Sequence, residues 1–143
     1  MDDLAQWLRA QLDEDERIAR AATEGPWSVD DNSYAEAIYA ADRRTTVVAG
    51  GRWGGEASVF ESTEDALHIA AHDPARVLRE IDTKWKILVE CVYWHGKLAG
   101  EAAAPSPAPF PALGEALDAV TPILRARALP YVDRPGYREE WRP

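Results

Sequence analysis

Residues 73–100 read DPARVLREIDTKWKILVECVYWHGKLAG, and this stretch decides the fold. Asp73 offers a helix N-cap, and Pro74 suits the first helical position, where its missing N–H leaves no bond unmade. Beyond them Leu78, Ile81, Trp85, Leu88, Val92, His95 and Ala99 succeed one another at alternating spacings of three and four. A helix turns once in about 3.6 residues, so these side chains share a stripe that must bury against another helix or a sheet face. The same regularity, held over about three heptads, also suits a seam between two copies of the chain.

Upstream, residues 2–22 predict another helix. Asp2 or Asp3 can cap it, and Leu4, Trp7, Leu8, Leu12, Ile18, Ala19 and Ala22 form an interrupted apolar stripe. Gly25-Pro26 ends it. Trp27-Ser28-Val29 opens a β region that continues through 36–41 and 45–49, with Asp42-Arg43-Arg44 as the turn of a hairpin. Gly50-Gly51-Arg52-Trp53-Gly54-Gly55 reads as a loop, and 58–60 as a short further strand. Ser62-x-x-Asp65 resembles a capping box with Asp in place of the usual Glu, predicting a helix over 63–72 that Asp73-Pro74 breaks.

Downstream, Pro105, Pro107, Pro109 and Pro111 alternate with small residues as a stiff extended linker. A short helix is expected over 113–120, and Thr121-Pro122 caps and starts a second over 122–128. The tail mixes Pro130 and Pro135 with Tyr131, Tyr137 and Trp141, the composition of an irregular arm whose rings lie in surface grooves. The expected fold is α+β: a small antiparallel sheet packed against helices, one long central helix and an irregular C-terminal arm. Residues 1–101 form the core domain, 102–112 the linker, and 113–143 the C-terminal helices and arm packed on the core.

At 143 residues and 46% hydrophobic content the chain can bury the core of one ordinary domain. A net charge of −9 repels a duplex, which disfavours direct nucleic-acid binding, while a basic protein partner, or mimicry of DNA towards one, suits such a surface. The single cysteine gives no internal disulfide, and the acidic start Met1-Asp2-Asp3 has no signal-peptide order. No apolar run nears the roughly 18 residues of a membrane helix. The expectation is a cytoplasmic protein without membrane partners.

Chemistry concentrates in one window, where His68-x-x-x-His72 and Cys91-x-x-x-His95 each place two metal-ligand types one helical turn apart. If the two helices paired antiparallel, His68, His72, Cys91 and His95 could surround a zinc ion, with Asp73 or Glu64 as substitute or orienting groups. His72-Asp73 also resembles the His-Asp pair of metal-dependent phosphohydrolases, with His68 and Asp82 or Asp118 as nominees. The plainer reading makes His72 a helix-end partner, Cys91 a small buried hydrophobe and Asp73 a cap. No local motif supports a catalytic triad or dyad, so no catalytic residue is assigned. The Gly50–Gly55 loop lacks the ending of a phosphate loop.

The run Gly25-Pro26-Trp27, the stretch His68-Ile69-Ala70-Ala71-His72-Asp73-Pro74-Ala75-Arg76-Val77-Leu78, and the ending Leu129-Pro130-Tyr131 with Tyr137-Arg138-Glu139-Glu140-Trp141-Arg142-Pro143 carry a resemblance. They resemble a family of small uncharacterised actinobacterial proteins, a domain of unknown function also found in phages. The first half is similar, more loosely, to Ead-like phage proteins. The resemblance implies no reaction and no ligand. It does imply further cysteines ahead of the last helix in many members, where this chain has Thr121 and Pro122.

The functional expectation is a non-enzymatic binding protein that engages a protein partner or its own copy through the long helix and tail. A small-molecule ligand and a zinc-binding protein or small hydrolase are the alternatives. Partner-binding residues are Arg52 and Trp53 at the loop tip, Trp94 off the buried seam, and Tyr131, Tyr137 and Trp141 in the arm. The arm itself reads either as an intramolecular brace or as a docking peptide.

Overall fold

A computed structural model describes residues 2–29, 37–49, 62–103 and 112–143. Among the described residues there are four α-helices: α1 (Asp2–Ala21), α2 (Thr63–Ala71), α3 (Pro74–Ala102) and α4 (Ala112–Ala128). Three strands, β1 (Ser28–Val29), β2 (Ala37–Tyr39) and β3 (Thr46–Ala49), form an antiparallel sheet in the order β1-β2-β3. The fold is α+β, as expected. The expected loop 50–55, strand 58–60 and most of the linker lie outside the described residues. Two compact units are formed, Met1–Glu14 with Asp82–Pro143, and Asp15–Ile81.

The unit Asp15–Ile81 is built on the sheet and α2. Ser28 faces Tyr39 and Val29 faces Ile38 across β1 and β2, while Ile38 faces Val48 across β2 and β3. The β2–β3 hairpin turns where the sequence places it. The Asp42 carboxylate accepts the Arg44 and Thr45 N–H groups at 2.9 and 2.8 Å and the Thr45 hydroxyl at 2.8 Å. That arrangement supports the left-handed backbone of Arg43, φ 54°. Ile38, Ala66 and Ala70 are buried together, with Trp27, Val29, Val47 and Val48 packed around them. The alanines let α2 approach the sheet closely.

Two caps set the helix boundaries here. Ser62 Oγ accepts the Asp65 N–H at the start of α2. Asp73, buried, accepts the Arg76 N–H at 2.8 Å at the start of α3, and Arg76 Nη1 donates to the Ala71 carbonyl at the end of α2. The His72-Asp73-Pro74 corner is thus a cap-to-cap junction.

The unit Met1–Glu14 with Asp82–Pro143 is helical. Leu4, Ala5, Leu8 and Leu12 of α1, Leu88 and Cys91 of α3, and Leu124 and Ala128 of α4 form its core with Tyr131 and Trp141. Trp7, Trp85, Ile87, Val92, Val120 and Tyr137 pack around it. The Leu78–Ala99 stripe supplies the α3 residues, as its spacing predicts, except Ile87 and Cys91, each one position off it.

The two helices expected over 113–120 and 122–128 are one. Pro122 lies inside α4 instead of starting a new helix. A proline there removes one backbone bond and crowds the preceding turn. Its ring is on the exposed side, while Leu124 and Ala128, both fully buried, anchor the turn that follows. Burial on the inner face outweighs the local propensity. Among the described residues no helix is long and apolar enough to cross a membrane.

Candidate interaction face

His68 and His72 lie on the exposed side of α2, their rings 4.3 Å apart. Nδ1 of His72 sits 2.7 Å from the His68 carbonyl oxygen, so the ring closes the last turn of α2. Cys91 is buried in the helical core, and burial first, then Glu90, pushes its thiol pKa up against the opposing pull of Arg127. A thiol so placed resists becoming the thiolate that a metal or an electrophile requires. His95 is half-buried. The pairs belong to different units, and among the described residues no group of three or more His, Cys, Asp or Glu side chains is placed to hold a metal ion. Asp73, nominated as a substitute ligand, is committed to capping α3.

The arm residues come together without forming a surface. Tyr131 and Trp141 are only 4% and 7% exposed, and Tyr137 is half-buried. Trp7 joins them, edge-on to Tyr131 at 6.3 Å and Tyr137 at 5.8 Å and tilted against Trp141 at 5.2 Å between ring centroids. Its Nε1 donates to the Pro135 carbonyl at 3.1 Å. Gly136 adopts φ +85°, a backbone that favours glycine, and a Cβ there would stand 3.0 Å from Trp7 Nε1 and crowd the indole. Cations cover the cluster: Arg134 lies 4.8 Å from the Tyr131 ring centroid and Arg138 5.2 Å from that of Trp141. Lys84 Nζ donates to the Tyr131 hydroxyl at 3.3 Å. The arm rings thus pack against α1 within their own unit. Arg52 and Trp53 lie outside the described residues.

Trp94 differs. It is 43% exposed on α3, beside Tyr93 at 58% and Val89 at 54%. Trp94 and Tyr93 meet edge to face at 5.4 Å, Trp94 Nε1 donates to Glu90 at 3.1 Å, and Lys97 Nζ lies 5.0 Å above the indole. A helix that carries a buried stripe on one side therefore holds an ordered apolar and aromatic patch on the other. The sequence points to Trp94 because it leaves the buried seam. Val89 and Tyr93 escape that reading because next to Leu88 and Val92 they look like a broadening of the same stripe. In the unit Asp15–Ile81, a groove lined mainly by small and apolar residues such as Ala19, Gly25, Pro74 and Leu78 also carries the charged Arg20 and Glu24, and Arg20 is paired with Glu16.

The helices and the small antiparallel sheet make this an α+β protein. The family model of DUF6221, a family of unknown function, matches residues 1–143, and the chain belongs to that family. No curated protein and no solved structure matches it.

Proposed function

We propose that the protein is a non-enzymatic interaction domain that binds a protein surface through the outer face of α3. The observation that carries this reading is the exposure of Val89, Tyr93 and Trp94 together on a helix already anchored by its opposite side. Tyrosine and tryptophan supply large contact areas at low entropic cost and dominate interfaces when clustered. A single exposed apolar residue is ordinary; three adjacent ones with two polar aromatic tips are the composition of a contact site.

The test is a photo-cross-linking amino acid in place of Tyr93, expressed in cells that naturally carry the chain, with the same probe at exposed Arg9 as control. The expected result is a discrete cross-linked species from position 93, identified by mass spectrometry, and none from position 9. Equal, diffuse labelling at both positions would overturn the reading.

A further inference from the structure

We infer that the occupant of this face is a second copy of the chain, with its α3 running antiparallel. The inference rests on the interaction reading above and adds the partner and its register. The outer positions Asp82, Lys86, Val89, Tyr93, Gly96 and Gly100 follow spacings of four and three, offset by one residue from the buried stripe. They define a second heptad seam on the exposed side of α3.

This seam is bulky at one end and empty at the other. Val89 and Tyr93 project from it, whereas among the described residues a Cβ added at Gly96 or Gly100 would meet no heavy atom within 4 Å. Helix interiors disfavour glycine, and the described residues around these two give no reason for it. A parallel pair would set glycine against glycine and Lys86 against Lys86. An antiparallel pair instead sets Tyr93 over the partner's Gly96 and Val89 over the partner's Gly100.

Charge selects the same register. With those layers aligned, the flanking position of Glu90 falls beside the partner's Lys97, and the two-fold axis repeats the pair. Asp82, Lys86, Glu90 and Lys97 also make the face locally neutral on a chain of net charge −9. A copy approaching here meets less repulsion than elsewhere, while a basic partner gains nothing from a face with as many lysines as acids. One helix face is a small interface, so the association is of modest strength.

The experiment is sedimentation equilibrium on the purified full chain, up to about 1 mM, with Glu90→Lys, Lys97→Glu, the double swap and Gly96→Glu. The parent is expected to reach the mass of two 15.9 kDa chains. Each single swap should weaken the dimer by about tenfold or more, and the double swap should restore it. Gly96→Glu should abolish the dimer without lowering the melting temperature measured at dilution, since its Cβ meets no neighbour among the described residues and glutamate favours helix. A monomeric parent, a dimer indifferent to these changes, or a double swap that restores nothing overturns the inference. If the parent is monomeric while position 93 still cross-links to a different protein, the interaction reading stands and only the second copy falls. Absence of any specific cross-link ends both.

Discussion

Gly25 lies so close to Asp73 that a Cβ would stand 2.6 Å from the carboxylate Oδ1 and 3.2 Å from Ala75 Cβ. Asp73 cannot yield easily, because it is buried and holds the Arg76 N–H that starts α3. Gly25→Ala is therefore expected to cost about 1–3 kcal/mol by overpacking, read as a lowered denaturation midpoint. An unchanged midpoint would show that the contact relaxes freely. Tyr137 offers the opposite case. Its hydroxyl is buried and finds no hydrogen-bond partner among the described residues, while its ring packs edge-on to Trp7 and Trp141. Tyr137→Phe keeps the ring contacts and removes the unpaired oxygen, so stability should hold or rise slightly. A loss above about 1 kcal/mol would mean that the hydroxyl has a partner after all.

Secondary-structure elements were legible wherever a local signal and a buried face agree. The stripe from Leu78 to Ala99, the Ser62 and Asp73 caps and the Asp42 turn all read directly from residue type and spacing. Pro122 was misleading because a cap-and-start signal is local, whereas α4 is held by Leu124 and Ala128 from the core side. Of the candidate face only Trp94 was legible. Exposure of Val89 and Tyr93 depends on which side of α3 meets α1 and α4, and periodicity alone does not decide that. The hairpin supports a pH prediction. The backbone N–H groups of Thr45 and then Arg44, followed by the Thr45 hydroxyl, hold the Asp42 carboxyl below the ordinary aspartate range. The folded pKa is the lower one, so the turn's contribution is present above the unfolded value and fades as pH falls through the folded value. A carboxyl-carbon NMR titration should place the Asp42 midpoint below that of a free aspartate. A midpoint at or above it would mean the turn is not closed as described.

For the molecule as a whole, the open question in the sequence was whether residues beyond Leu129 dock elsewhere or hold the chain together. Support for the second comes from Trp7, which makes a contact to each of three arm aromatics and a hydrogen bond to the Pro135 carbonyl. The exposed Arg138–Asp3 ion pair at 3.1 Å adds little in comparison, because water screens it. Truncating one buried tryptophan or phenylalanine side chain typically costs about 3–5 kcal/mol, and a domain's whole stability is about 5–15 kcal/mol. Removal of residues 130–143 takes away Tyr131, Tyr137 and Trp141 together and leaves Leu8, Leu124 and Ala128 partly uncovered. The truncated chain is therefore expected to lose the cooperative unfolding of the unit Met1–Glu14 with Asp82–Pro143, with red-shifted tryptophan emission and binding of an apolar dye. A docking peptide predicts otherwise: the truncated chain would keep the full-length melting temperature and lose only association. Calorimetry of the two proteins side by side separates the cases, and a retained melting transition would return the arm to the surface as a ligand for something else.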